Sequence, residues 1–150
     1  MTRMSGKPEP DLIRRQRASA ATLAKFRFQP FDWKQNKTCV HLAHFHLRQM
    51  GHRPPKLPAL RGLIGAKRIM AERGWADCAA LLDAQNLTRI NAAQMLAGDL
   101  AYRSSEDGLG GILICLGPHK LMGWVDNEES LGLMVVLDMS FDQVEACWRV

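Results

Sequence analysis

The sequence predicts an α+β domain, helices first and a small antiparallel sheet second, on three observations. Apolar residues recur at helical spacing as far as Ala97. Beyond Gly98 the texture changes to short apolar runs at 100–103, 112–116, 121–125 and 133–137. These are separated by Gly108, Gly110, Gly111, Gly117-Pro118 and Asp126-Asn127, as strands are. The two textures are segregated along the chain and do not alternate, which excludes a doubly wound α/β sheet.

Residues 1–10 are polar and read as a tail. Residues 11–26 predict a helix, with Leu12, Leu23 and Phe26 apolar and Arg14, Arg15 and Arg17 projecting elsewhere, stopped by Pro30. The early cations, Arg3, Lys7, Arg14, Arg15, Arg17, Lys25 and Arg27, make residues 1–27 a basic arm ahead of a domain at 28–150. After the aromatic loop Phe31-Asp32-Trp33, Thr38 is the N-cap of a helix from Cys39 to about Met50. Val40, Ala43, Leu47 and Met50 form its apolar stripe, widened by Leu42 and Phe45. Gly51 ends it, and Pro54, Pro55 and Pro58 stiffen the connection to the next helix. Two more helices are expected at 60–72 and 75–86, parted by Gly74, and a short one at 91–97. In the sheet half, Gly117-Pro118-His119-Lys120 reads as a hairpin connection and Glu128-Glu129 as a solvated loop. Residues 141–150, with Trp148, pack on the core or add an edge strand.

A chain of 150 residues, 47% apolar and 23% charged, suits one packed domain and is too apolar for disorder. No apolar run is long enough to cross a membrane, and residues 1–10 lack a signal-type stretch, so cytoplasmic synthesis is the expectation. The charge of +5 is not accompanied by a nucleic-acid-binding motif, so nucleic acid is not an expected partner. Cys39, Cys78, Cys115 and Cys147 form no C-x-x-C pair, and the last three read as small buried residues.

Cys39 is the residue with chemistry. A helix N-terminus lowers a thiol pKa by placing partial positive charge beside the thiolate, and the Thr38 cap puts Cys39 there. Cysteine catalysis also needs a histidine base and a third group to orient it, drawn from distant sequence.

Phe31-Asp32-Trp33 ahead of Thr38-Cys39, with the helix ending near Gly51, resembles the nucleophile segment of NlpC-type papain-like cell-wall peptidases. The likeness is closest to a short phage-tail branch of that superfamily. Ala97-Gly98-Asp99-Leu100 resembles the opening of the first strand in these domains, and Gly111-Ile112-Leu113-Ile114-Cys115-Leu116-Gly117 the second strand and its turn. Ala146-Cys147-Trp148-Arg149-Val150 resembles the way the phage branch ends. The resemblance implies a papain-like domain, a nucleophile at Cys39 and a base at the start of the second strand. That position is Gly111, with Gly110 and Leu109 before it, and the orienting position near Met122 to Trp124 is no better furnished. Glycine accepts no proton.

The remaining histidines do not substitute. His119, in the hairpin, is a strand's length from the expected base, more than about 10 Å. His41 lies two positions after Cys39 and points to another side of its helix. A metal set drawn from Cys39, His41, His44, His46 and His52 lacks a complete tetrahedral arrangement, although His41 and His44 share a face. Asp99 at a strand start reads as a turn residue bonding backbone N–H groups, and Trp33, Trp75, Trp124 and Trp148 as core or interface anchors. The expectation is a phage or prophage-derived tail-tip or baseplate component that keeps a peptidase-like fold without turnover. It is made in the host cytoplasm, resides in the virion tail and contacts other tail proteins through its basic arm. An active peptidase or amidase acting on peptidoglycan is the alternative. Neither reading calls for a cofactor or a metal.

Overall fold

The structure is a computed structural model that describes residues 9–125 and 130–150. The expected tail at 1–8, the Asp126-Asn127 turn and the Glu128-Glu129 loop lie outside the described residues. Among those described, four α-helices precede or flank a six-stranded antiparallel sheet, so the α+β class is correct.

Helix α1 (Asp11–Phe26) has the predicted bounds, but it ends before Pro30 can act. Phe28 turns into the left-handed region at φ 63°, and its N–H donates to the Met134 carbonyl at 2.8 Å, diverting the chain into a bridge between Pro30 and Leu133. Arg15, Ala18, Ser19, Thr22 and Phe26 form its buried stripe, at the three- and four-residue spacing of one helix face. Helix α1 is therefore packed into the domain along its inner face, where the sequence had suggested an appended basic arm. Ala18 and Phe26 belong to the same core as the next helix and the sheet.

Helix α2 (Cys39–Gln49) starts at the predicted cap, and Gly51 at φ 95° closes it. Helix α3 (Leu63–Glu72) starts later than predicted, because the prolines hold the chain extended up to Gly62. Helix α4 (Cys78–Asp83) is also shorter at its start. The Asp77 carboxylate accepts the Ala80 N–H at 2.9 Å and sets Cys78 as the first helical residue.

The strands are β1 (Thr88–Ile90), β2 (Leu100–Arg103), β3 (Gly111–Gly117), β4 (Lys120–Gly123), β5 (Val135–Asp138) and β6 (Ala146–Arg149). Their order is β1-β6-β2-β3-β4-β5, with every pairing antiparallel. The short helix expected at 91–97 is a 3-10 turn at Ala92–Gln94. Strand β6 is no edge strand: it sits between β1 and β2, with Trp148 fully buried. Strand β1, which takes the edge instead, was not predicted. The β3–β4 hairpin turns through His119, at φ 57°, with Gly117 paired to Lys120.

Both faces of the sheet are covered. Leu100, Ile112, Ile114, Met122 and Trp148 face the helices, while Ala101, Leu113, Leu121, Met139 and Cys147 form a smaller cluster on the other side. The alternation of Ile112, Leu113 and Ile114 between clusters is the period of two of a strand buried on both faces.

Candidate functional site around Cys39

Thr38 is fully buried in extended backbone, and its hydroxyl accepts the His41 N–H at 3.3 Å, which fixes the start of α2. Cys39 follows, 8% exposed, with its Sγ 3.9 Å from the Gly110 carbonyl, to which the thiol donates. The N–H of Ile112 points back toward the sulfur. The start of β3 thus lies directly against Cys39. Gly111 stands there with ordinary φ, and a Cβ added to it would meet no atom within 4 Å. A side chain at Gly111 would find open space, on the strand face that it shares with Leu113.

A second thiol occupies the other side. The Cys78 N–H donates to the Leu109 carbonyl at 2.8 Å, and its side chain is close enough to that of Cys39 for each to shift the other's titration. The Cys78 side chain is the largest influence holding the Cys39 thiol below its ordinary pKa, against burial; the N–H groups of Ile112 and Val40 add to it. The Cys39 side chain and burial push Cys78 far upward. The helix start contributes as sequence reasoning held, but the larger effect comes from a cysteine it took for packing alone. A signal was present: a capping residue followed by Cys occurs twice, at Thr38-Cys39 and Asp77-Cys78.

Each of the five histidines is engaged elsewhere. His41 Nδ1 is 2.7 Å from Thr38 Oγ1, and His44 Nε2 donates to the Pro55 carbonyl at 2.9 Å. His46 is fully buried between Thr22 and Gly98. His52 is half-buried by a cavity, and His119 stacks on Phe141 at 4.6 Å at the far end of β3. The Cys39–His41–His44–His46–His52 metal set is not assembled, since these side chains diverge to separate partners. Among the described residues no three His, Cys, Asp or Glu groups are placed to share a metal.

A cavity of about 460 Å³ opens on the outer side of α2 and α4, closed by the proline-rich segment. Val40, Leu47, Trp75 and Leu82 form part of its apolar wall, and Arg53 and Arg73 stand at its edge.

The family model described as a domain of unknown function, DUF6950, matches residues 12–150. The chain belongs to this family. No curated protein and no solved structure matches it.

The DUF6950 match takes in nearly all of α1, and a buried charge network explains why that helix belongs with the rest. Asp99, fully buried, receives Arg15 Nη1 at 2.8 Å on Oδ1 and the Leu96 N–H at 2.8 Å on Oδ2. The Val150 N–H reaches Oδ1 at 3.0 Å, and Arg149 Nε lies 3.0 Å from Oδ2 as an ion-pair contact without hydrogen-bond alignment. Arg15 is itself 4% exposed and also bonds the Ala97 and Val150 backbone oxygens and Asp11. Burial alone would lower its pKa, but the bonds from Asp11 and Asp99 outweigh it and raise it. Asp99 does bond backbone N–H groups, as its position suggested. Its arginine partner was read from sequence as part of a basic arm.

His46 joins the same region of the DUF6950 domain. Its Nε2–H donates to Gly98 at 2.8 Å, which leaves Nδ1 as the acceptor facing Thr22 Oγ1 at 2.9 Å. Burial lowers its pKa from 6.5 to about 4. The unfolded chain therefore binds the extra proton first. The contribution to stability is complete above pH 6.5 and is lost as pH falls toward 4, to a limit of about 3 kcal/mol. Urea unfolding across that window is expected to show this loss, and His46→Gln to flatten it. An unchanged slope in the variant would assign the acid sensitivity to other groups, such as His41 and His52, which are also lowered by burial.

Proposed function

We propose that this protein is a structural component of a phage or prophage-derived tail tip or baseplate, a papain-like domain kept for assembly and not for turnover. The observation that carries the reading is the surroundings of Cys39: a thiol at a helix start, against the first residues of a strand, with Gly110 and Gly111 where the resembling peptidases carry their base. Among the described residues, which include all five histidines, no histidine bonds the sulfur. A thiol without a base beside it performs acyl transfer poorly, because the attacking thiol must lose a proton and the leaving amine must gain one.

Assembly has support of its own. Phe28, Phe31 and Leu131 are 58, 42 and 81% exposed, and the 28–31 and 131–134 segments are tied by backbone bonds from Phe31 to Gly132 and Phe28 to Met134. Phe31 also meets Trp33 and Trp124 edge-on at 5.6 and 5.7 Å. An exposed aromatic patch of this kind suits a protein–protein contact. It replaces residues 1–27 as the expected gripping surface. Deleting α1 would remove core residues, so it cannot test assembly.

The test is a Phe28→Ser/Leu131→Ser variant. It is expected to unfold at the same temperature as the parent and to fail to enter tails; normal incorporation would overturn the interface. The lowered Cys39 thiol favours the peptidase alternative. Cys39-dependent digestion of peptidoglycan by the chain, alone or with its tail partners, would replace the structural reading with the enzymatic one.

A further inference from the structure

Four thiols are buried in this chain, and they are not equivalent in placement. Cys39 and Cys78 are the first residues of α2 and α4, and both converge on one short turn of backbone. The Gly110 carbonyl accepts from the Cys39 thiol, and the adjacent Leu109 carbonyl accepts the Cys78 N–H. Both side chains belong to the helix-facing core and are close enough for each to shift the other's titration. Cys147 packs in the cluster on the opposite face of the sheet. Cys115 and Cys147 lie on β3 and β6, with β2 between them, so two strand spacings, about 10 Å, separate their backbones. That exceeds the reach of a disulfide. One of the possible pairings is therefore set up by the fold.

We propose that Cys39 and Cys78 form a redox-active dithiol that closes to an intramolecular disulfide when a hydroperoxide reaches it. Cys39 is the residue that meets the peroxide: it retains some exposure, while Cys78 has none. Its sulfur attacks the terminal peroxide oxygen, the O–O bond breaks, and the departing oxygen leaves as water or alcohol after taking a proton. Cys39 is then a sulfenic acid. The Cys78 sulfur attacks the Cys39 sulfur, the S–O bond breaks, and the hydroxide leaves as water with the Cys78 proton. Two thiols are oxidised by two electrons and one peroxide is reduced. The product ties the starts of α2 and α4, the two helices that wall the cavity. This inference is independent of the tail assignment, since it uses only the placement of the two sulfurs.

The experiment treats the folded, reduced full chain with excess hydrogen peroxide, alkylates it in denaturant and maps the peptides by mass spectrometry. Four alkylatable thiols are expected to fall to two, with one bridge joining the Cys39 and Cys78 peptides and dithiothreitol reversing it. A bridge between any other pair, or Cys39 carried to sulfinic acid with Cys78 still free, would overturn the proposal. Changing both Cys115 and Cys147 to Ser is expected to leave the yield of the bridge unchanged. In Cys78→Ala, Cys39 should be carried past sulfenic acid to sulfinic acid, because no second sulfur intercepts it. Inorganic arsenite gives a readout on the unaltered chain that does not depend on that variant folding. It replaces two thiol protons with two As–S bonds and releases water. It should protect Cys39 and Cys78 together from alkylation and leave Cys115 and Cys147 unprotected; protection of neither would show that the thiols do not meet.

Discussion

Replacing Asp99 with alanine is expected to lower the folding free energy by about 3–5 kcal/mol, the usual loss when one partner of a buried charge pair is removed. Three elements converge on this carboxylate: α1 through Arg15, the 96–98 turn through the Leu96 N–H, and the end of β6 through Arg149 and the Val150 N–H. Its loss strands Arg15, whose head group is nearly out of water, and leaves the buried Val150 N–H and the part-buried Leu96 N–H without an acceptor. Arg15 keeps the half-exposed Asp11, which offsets only part of the deficit. Asp99→Asn should fall between, since the amide oxygen still accepts one N–H but carries no charge. Urea unfolding at pH 7 measures both. A loss under 1 kcal/mol for the alanine form would mean that the network is not holding α1 to the sheet. With whole domains stable by only about 5–15 kcal/mol, the alanine form should also show more proteolysis near residues 11–26.

Gly110→Ala is expected to cost about 2–5 kcal/mol, and Gly111→Ala next to it almost nothing. Gly110 has φ 77°, and a Cβ built there would sit 2.3 Å from Tyr102 Cε1 and 2.5 Å from its hydroxyl oxygen. Tyr102 cannot swing away, being buried on β2 with its hydroxyl 3.4 Å from Asp77. Burial, with Asp77 nearby, raises that phenol to about 12, so it stays a neutral donor. Gly111→Ala adds a methyl to open space in an allowed conformation. Shrinking the ring in a Gly110→Ala/Tyr102→Leu chain should give a loss smaller than the two single losses combined, and simple additivity would exclude the ring as the obstacle. Because Leu109 and Gly110 hold Cys78 and Cys39, Gly110→Ala should also change the alkylation rate of Cys39 where Gly111→Ala does not. Gly111→His tests the papain-like alignment, which makes this the base position. Faster alkylation of Cys39, with the pH profile of an imidazole, supports it; no change from the parent at any pH counts against it.

The bounds of α1 and β2, the start of α2 and the β3–β4 hairpin were legible in the sequence because their determinants are local. Thr38 caps its own helix, Gly51 takes a conformation that other residues avoid, and Gly117-Pro118 turns the chain where it stands. Gly111 beside Cys39 was legible too, although only through a family pattern that aligns distant segments. The start of α4 was missed because Asp77, a sound cap, was passed over in favour of the apolar run that precedes it. The edge strand β1 was missed because three residues are too few to show a period, and its partner is at the other end of the chain.

By itself, then, the sequence determined the order of the elements, the cap that makes Cys39 a helix start, and the absence of a side chain at Gly111. Only the tertiary structure decided that Arg15 is a buried partner of Asp99 and not part of a solvated arm, that β6 lies inside the sheet, and that Cys78 faces Cys39. The division has one physical cause. Caps, turns and alternation depend on neighbours within a few residues, whereas burial, charge pairing and thiol contact depend on which distant surfaces the packed core brings together.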